Sequence, residues 1–355
     1  MNLLAYNYKE IFFQQAKKQK NVFMLPESQI TGIDMPLPMI DVLEMIADNT
    51  KRRGCPVPIS EKDAYGWTEG LNIPHDGETV LFTGLLYQLT PHIDSLVKYL
   101  DSLEKSSIAT LAMKLGRVAG KVIDVTKIAS PPKHRVEEQN NILRNIAMLL
   151  MKSGVSFGYI YGDDMYSGVL LYDLGMEDEF EKHAEKVYKR LKEIGVKRII
   201  TIDPHTTHIM RKVYPNFIDS YDIDVKNYLE ILSEKGIKGR GLKKEVTIHD
   251  PCLYARYENI TEQPRKLLES IGIEVKEPEN SKTMTFCCGG PIESLSPKLS
   301  KGIASHRMNE LTKAGKEIVT MCPICYSSLI RVKPEDVRME DISQYLAEGF
   351  LGGVE

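Results

Sequence analysis

Cysteine is the residue type whose distribution in this 355-residue chain points most directly to chemistry. Five of the six cysteines form three groups: Cys252 alone, the adjacent pair Cys287 and Cys288, and a turn from Cys322 to Cys325. Thiolates are soft ligands that suit zinc and iron-sulfur clusters, and both kinds of centre gather several ligands from different loops. The grouping therefore predicts one metal centre on these five cysteines.

Three interpretations of the five thiols stay open at this point. An iron-sulfur cluster can use all five, whereas a structural zinc site uses four and leaves the adjacent pair unexplained. In the third interpretation the thiols are buried and only pack. Cys55, which precedes Pro56, is interpreted as a structural thiol. Disulfide pairing is disfavoured because six cysteines are few for a scaffold of this size, which indicates a reducing compartment.

Regular alternation of secondary structure begins at residue 79. Short apolar runs predict strands, and amphipathic segments between them predict helices; the strands are 80–82, 155–161, 198–202, 246–248 and 318–321, and the helices are 139–152, 179–194, 225–236 and 262–271. This pattern is typical of α/β architecture with largely parallel strands. The carboxyl ends of such strands meet in one crevice, so distant cysteine loops can converge there.

The local sequence around the cysteines favours ligation. Pro323 can occupy the first position of a helix that continues through 326–330, and the amino end of a helix favours thiolate over thiol. Adjacent residues of a regular strand point to opposite faces, so joint ligation by Cys287 and Cys288 needs an irregular backbone. Gly289 and Gly290 permit that irregularity.

An internal repeat relates the two halves of the chain. Three segments match in order: 80–87 with 246–254, 166–168 with 287–289, and 201–206 with 320–325. The cysteine positions of the second half then correspond to residues that cannot serve as thiolate ligands in the first half, namely Leu85, Tyr166, Ser167, Asp203 and Thr206. An extra helical segment around 99–135 accounts for the greater length of the first half.

The predicted fold is therefore two tandem Rossmann-like pseudo-repeats. The predicted divisions are an N-terminal helical or irregular appendage at 1–75, a first domain without cysteine ligands at 76–240, and a second domain with the site at 241–355. The first half is expected to shape the pocket or to dock partners.

The second half resembles the cysteine-rich "CCG" domain family, which includes the heterodisulfide reductase catalytic subunit and the glycolate oxidase iron-sulfur subunit. The resemblance rests on Asp250-Pro251-Cys252, Cys287-Cys288-Gly289-Gly290-Pro291 and Cys322-Pro323-Ile324-Cys325-Tyr326. It implies a non-cubane [4Fe-4S] cluster held by the five cysteines, acting in electron transfer or in disulfide or persulfide chemistry on a small sulfur substrate. The first copy departs from the two-site members of the family because its cysteines are missing.

The resemblance also implies partner subunits. Many relatives carry a ferredoxin motif upstream, whereas only Cys55 precedes Cys252 here. Electrons are therefore expected to come from a ferredoxin-like iron-sulfur subunit and a flavoprotein subunit. Two alternatives stay open: a zinc-binding structural or assembly subunit, and the electron-transfer subunit of a glycolate or lactate dehydrogenase.

Several histidines are further candidates. Asp203 with His205 or His208 could bind a hard metal, but a helix cap formed by Asp203 is the commoner arrangement. Tyr166 and Ser167 are expected to fill the space of the missing cluster. His249 and His306 could adjust the properties of the cluster through hydrogen bonds.

Composition argues against several other classes of protein. A net charge of −3, with acidic and basic residues mixed, gives no basic surface for nucleic acid. The N-terminus lacks the apolar core of a secretory signal, and no apolar run approaches the length of a membrane span. The expected location is cytoplasmic, with any membrane association made through a partner.

Overall fold

The computed structural model describes residues 39–104, 130–293 and 296–352. The first 38 residues of the predicted appendage, and residues 105–129 of the predicted extra segment, lie outside the described residues. The predicted domain boundaries therefore stay predictions, and the fold is described from residue 39 onward.

Eight strands form two parallel four-stranded sheets within the described ranges. The strands are β1 Thr79–Phe82, β2 Gly158–Tyr159, β3 Arg198–Thr201, β4 Asp224–Asn227, β5 Lys244–Ile248, β6 Ile273–Lys276, β7 Glu317–Thr320 and β8 Arg338–Asp341. Their order is β2-β1-β3-β4 in the first sheet and β6-β5-β7-β8 in the second. The two orders are equivalent, which confirms the predicted α/β tandem repeat.

Twelve α-helices connect and cover the strands within the described residues. They are α1 Met39–Arg53, α2 Glu61–Tyr65, α3 Leu86–Glu104, α4 Lys133–Lys152, α5 Val169–Asp173, α6 Glu177–Glu193, α7 Pro204–His208, α8 Tyr228–Lys235, α9 Glu262–Ser270, α10 Pro297–Ala314, α11 Pro323–Ile330 and α12 Ile342–Phe350. Two π-helical turns, Ile209–Val213 and Tyr254–Glu258, also occur. The helices predicted at 139–152, 179–194 and 262–271 correspond to α4, α6 and α9.

The prediction missed three strands at the edges of the sheets. The segment 225–236 was predicted as one helix, but it begins with β4 and only then continues as α8. Strands β6 and β8 were not predicted. These strands have four residues each and carry charged side chains, as exposed edge strands commonly do. They contain no long apolar run by which a strand could be recognised.

The two halves are joined by a matched pair of buried hydrogen bonds. The Tyr87 hydroxyl donates to Asp341 Oδ2 over 2.9 Å, and Asn227 Nδ2 donates to the Tyr254 hydroxyl over 2.6 Å. Tyr87 and Tyr254 occupy equivalent positions in the repeat, as do Asn227 and Asp341 at the ends of β4 and β8. Apolar side chains from both sheets also share one buried cluster. The halves therefore pack through symmetric contacts.

The helices are those of a packed α/β protein in length and polarity. Within residues 39–104, 130–293 and 296–352, none combines the length and the apolar character needed to cross a bilayer.

Candidate metal centre

The cysteine loops lie at the point where the strand order of the second sheet reverses. Strands β5 and β7 are neighbours in the centre of the sheet. Cys252 follows the end of β5, and Cys322 follows the end of β7. In parallel α/β sheets, ligands bind in the crevice outside the carboxyl ends of strands at this switch point. The crevice is therefore a place where distant cysteines can meet.

The five cysteine side chains form one continuous line of contacts. Cys252 contacts Cys287, which contacts Cys288; Cys288 contacts Cys325, which in turn contacts Cys322. Cys288, Cys322 and Cys325 are buried, whereas Cys252 and Cys287 are partly exposed. The three sequence-distant loops do bring their sulfurs together, with solvent access on the side of Cys252 and Cys287.

Cys55 is not part of this group. Its thiol donates to the carbonyl oxygen of Val57 over 3.0 Å, and burial raises the pKa of Cys55 to about 11. A buried thiol of high pKa is a poor nucleophile and a poor ligand. The sixth cysteine is therefore structural, in agreement with the interpretation from sequence.

Backbone N–H groups point at three of the sulfurs. Gly289 N donates to Cys287 Sγ over 3.3 Å, and Gly290 N donates to Cys288 Sγ over 3.4 Å. Cys325 N donates to Cys322 Sγ over 3.4 Å, because Cys322 is the N-cap of α11 and Pro323 is its first residue. This confirms the helix predicted to begin at Pro323. Such N–H groups stabilise thiolates without occupying a metal coordination position.

The two glycines after Cys288 are required by the packing. Gly289 has a φ of +80°, and a Cβ built there would lie 2.7 Å from the carbonyl oxygen of Ser300. A Cβ on Gly290 would overlap the side chain of Ile324. The close approach of this loop to α10 and α11 therefore depends on residues without a side chain.

The contacts between cysteines divide their pKa values into two sets. Contact with Cys252 and Cys288 lowers the pKa of Cys287, and the raised pKa of Cys252 has the same contact as its main cause. Burial alone would raise the pKa of Cys322, but hydrogen bonds from Cys325 and His205 lower it. The pKa is therefore lowered at Cys287 and Cys322 and raised at the cysteines that they contact.

His205 was not predicted to lie at this site. It belongs to α7 of the first half, yet its Nδ1 lies 3.8 Å from Cys322 Sγ. Burial opposes protonation of His205, but the Cys322 contact raises the pKa of the imidazole to about 9. The half without cysteines thus contributes a side chain to the site of the other half. Only the equivalence of 201–206 with 320–325 could have indicated that these two segments face each other.

Three of the first-half residues that correspond to the cysteines keep a similar arrangement of side chains, with oxygen atoms where the second half has sulfurs. Ser167 Oγ and Thr206 Oγ1 lie 3.4 Å apart and correspond to the contacting pair Cys288 and Cys325. Asp203 is the N-cap of α7 and accepts from the amides of His205 and Thr206, as Cys322 caps α11. The predicted cap is confirmed.

The first-half residues that correspond to cysteines of the second half are buried. Tyr166 and Ser167 are fully buried, as expected for residues that fill the space of a missing cluster, and Leu85 is buried as well. The alternative prediction, a hard-metal site on Asp203 with His205 or His208, finds no support. Within the described ranges, the His, Cys and acidic side chains whose ligand atoms converge are His249, Cys288 and Cys325, all within 4.8 Å of one another.

A buried ion-pair network holds the first and second cysteine loops together. The Arg265 guanidinium forms two 2.9 Å hydrogen bonds with Asp250, which lies two residues before Cys252. Asp250 Oδ2 also accepts from the Lys282 amide over 2.7 Å, and its carbonyl accepts from the Thr285 hydroxyl. The same aspartate thus fixes the loop that carries Cys252 and the loop that leads to Cys287.

The remaining predicted histidine lies beside the site rather than in it. The His306 ring packs on Phe286, with ring centroids 5.2 Å apart, and Phe286 precedes Cys287. Phe286 is 40% exposed, and Met284, two residues earlier in the chain, is 69% exposed. An effect of His306 on a bound cluster stays a prediction.

Comparison with known proteins agrees with this geometry. Residues 246–330 match the family model of the CCG cysteine-rich domain, so the second half carries such a domain. The chain is 28% identical over 222 residues to a probable iron-sulfur-binding oxidoreductase, FadF, of Bacillus subtilis. It is 30% identical over 199 residues to the EtfAB:quinone oxidoreductase of Syntrophomonas wolfei. It is also 25% identical over 218 residues to one component of the dihydromethanophenazine:CoB–CoM heterodisulfide reductase of Methanosarcina mazei.

These alignments cover unequal parts of the proteins compared. They include 59%, 52% and 57% of this chain, but 31%, 28% and 53% of the respective relatives. The chain thus spans about a third of the length of the first two relatives and about half of the third. The similarity therefore concerns one part of each relative, and the activity that each name states belongs to that whole protein.

Proposed function

We propose that this chain is the iron-sulfur redox subunit of a heterodisulfide reductase-like complex. In this proposal Cys252, Cys287, Cys288, Cys322 and Cys325 hold a non-cubane [4Fe-4S] cluster. The observation that carries it is the unbroken line of contacts among five cysteines from three loops at the switch point of a parallel sheet.

The donor set fits an iron-sulfur cluster better than it fits zinc. Five thiolates exceed the four ligands of a structural zinc site, and the adjacent pair Cys287 and Cys288 is fully used only when all five bind. Backbone N–H groups already aim at three of the sulfurs, which is how proteins stabilise thiolate-bound clusters. When bound, such a cluster supplies one-electron transfer and iron sites that can bind substrate sulfur.

The chain's own residues then define how the site is reached. Cys252 and Cys287 are partly exposed, so a small disulfide, persulfide or thiol can approach from their side. Cys288, Cys322 and Cys325 are buried and exclude water from the opposite side. His205 faces Cys322 from within, where an imidazolium would favour negative charge on the site.

Partners are part of the proposal. Among the cysteines of this sequence only Cys55 lies outside the site, and in the proposal a ferredoxin-like subunit together with a flavoprotein subunit supplies the electrons. The names of the relatives, which include quinone and heterodisulfide oxidoreductases, support such an assembly. A cytoplasmic location, with membrane contact through a partner, belongs to the same proposal. Electron transfer for glycolate or lactate oxidation is an alternative use of the same module.

Anaerobic reconstitution tests the proposal. Wild-type protein should bind about four irons and four sulfides per chain and show broad visible absorbance together with an electron paramagnetic resonance signal. Cys288→Ser should lose most of the iron, because Cys288 is the buried link between the Cys287 and Cys325 contacts. Cys55→Ser is the matched control and should keep all of it.

The opposite results are equally clear. Binding of about one zinc per chain, with no iron under strict anaerobiosis, would replace the redox role by a zinc-stabilised assembly role. Equal iron content in Cys288→Ser and Cys55→Ser would show that the five-cysteine assignment is wrong.

A further inference from the structure

We infer that Arg307 fixes His249 in the tautomer that carries its proton on Nε2, and that this N–H donates a hydrogen bond to the sulfur centre instead of the ring ligating a metal. The inference rests on the proposed cluster and deepens it. It assigns different roles to two side chains that lie on separate elements, His249 just after β5 and Arg307 on α10.

The position of Arg307 is rigidly determined. The residue is fully buried, and its Nη1 donates to Asn280 O over 2.8 Å and to Glu310 over 2.7 Å. Its Nη2 donates to the Thr285 hydroxyl over 3.2 Å. The remaining Nε–H points at His249 Nδ1 over 3.1 Å. These four partners hold the guanidinium in one orientation.

The chemistry of the guanidinium then determines the tautomer of the histidine. An arginine Nε always carries hydrogen and is never an acceptor, so His249 Nδ1 must be the acceptor. In a neutral imidazole the proton is then on Nε2. Arg307 also faces the ring with its own positive charge, which disfavours a second proton on the imidazole.

Nε2 is the nitrogen of this ring that is left for the cysteines. His249 is completely buried, and its Nε2 has no hydrogen-bond partner among the described residues. A ring nitrogen of His249 lies within 4.8 Å of the Cys288 and Cys325 sulfurs. A buried N–H without a partner destabilises the folded state, so the site is built for an acceptor that is present when the centre is assembled.

The assignment separates His249 from the ligand set. The convergence of His249, Cys288 and Cys325 looks like a metal site, but a nitrogen that carries hydrogen has no lone pair for a metal. A sulfide or thiolate of a cluster can accept from the same N–H. Such hydrogen bonds make the reduced, more negative cluster easier to form. His249 is thus a positioning residue that raises the reduction potential.

The first measurement addresses the tautomer in the metal-free full-length protein. With selective ¹⁵N-histidine labelling, long-range ¹⁵N–¹H correlation spectra should show His249 protonated on Nε2 and unprotonated on Nδ1. The resonance is assigned by its disappearance in His249→Leu. A ring protonated on Nδ1 would overturn the tautomer assignment whether or not a cluster forms.

The second measurement addresses the hydrogen bond in the reconstituted protein. Redox titrations followed by electron paramagnetic resonance compare wild type with His249→Leu, which has no donor, and His249→Gln, which keeps one. We expect full iron content in both variants, a midpoint potential shifted to more negative values in His249→Leu, and a smaller shift in His249→Gln. Loss of iron from both variants would show that His249 is a ligand.

The remaining outcomes distinguish this inference from the proposed function. Equal potentials in wild type and His249→Leu, with iron retained, would overturn the hydrogen bond and leave the cluster intact. Failure of the wild type to bind iron would overturn the cluster and the hydrogen bond to it, and the tautomer would then be judged by the spectra of the metal-free protein alone.

Discussion

Replacing Arg265 by methionine removes the partner of a buried carboxylate that holds two cysteine loops. The Arg265 side chain is 6% exposed and that of Asp250 is 1% exposed. Both terminal nitrogens of Arg265 bind Asp250 at 2.9 Å, while Nε and Nη2 bind the two oxygens of Glu277 at 2.6 and 2.8 Å. In the variant, the Lys282 amide at 2.7 Å would be the one donor left to the Asp250 carboxylate among the described residues.

The expected loss of stability depends on how deeply the carboxylate that loses its arginine partner is buried. Removing one partner of a buried, hydrogen-bonded charge pair costs about 3–5 kcal/mol. Glu277 is 39% exposed, so water can replace its arginine, and Glu277→Gln should cost no more than about 1 kcal/mol. Because the total free energy of unfolding is roughly 5–15 kcal/mol, the loss in Arg265→Met is a large part of it and the loss in Glu277→Gln is a small part.

Urea unfolding of the metal-free protein, followed by circular dichroism, measures these differences. Asp250→Asn combined with Arg265→Met should recover about 1–3 kcal/mol relative to Arg265→Met alone, because no charge is then left buried without a partner. Reconstituted Arg265→Met should also hold less iron, since Asp250 orients the loop of Cys252. An Arg265→Met variant within about 1 kcal/mol of wild type, or one no worse than Glu277→Gln, would refute the reasoning.

Two further predictions concern backbone geometry and pH. Gly289→Ala should destabilise by roughly 2 kcal/mol or more, because φ is +80° and the new Cβ would lie 2.7 Å from Ser300 O. Gly302→Ala on α10, with open space around it, should instead be neutral or stabilise by up to about 1 kcal/mol; equal urea midpoints for the two variants would contradict this. Burial raises the pKa of Asp164 to about 7, although hydrogen bonds from Thr83 and Tyr159 oppose the rise. An unfolded aspartate titrates near pH 3.9, so between about pH 4 and 7 the folded state holds a proton that the unfolded state has released. As the pH rises through that window, this carboxyl should therefore lower the free energy of unfolding by up to about 1.4 kcal/mol per pH unit. Asp164→Asn should flatten the pH dependence of the urea midpoint there, and an unchanged slope would disprove the assignment.

The sequence was informative wherever the physical cause is local. Helix α11 begins at Pro323 because proline is favoured at the first position of a helix, where it loses no hydrogen bond. Asp203 caps α7 because its short carboxylate side chain can accept from the first free amides of the helix. Apolar, β-branched runs revealed the central strands, since strands buried on both faces have few polar residues. The edge strands β4, β6 and β8 were missed because their charged side chains resemble loop or helix sequence.

The sequence by itself determined the α/β repeat, the grouping of the five cysteines and the absence of their counterparts in the first half. These properties depend on periodicity and spacing, which a linear chain displays. The tertiary structure alone decided that His205 reaches Cys322 from the other half, that Arg265 anchors Asp250, and that Arg307 orients His249. Contacts of this kind join residues that are 117, 15 and 58 positions apart, and a side chain's charge or tautomer depends on the partner that packing places beside it.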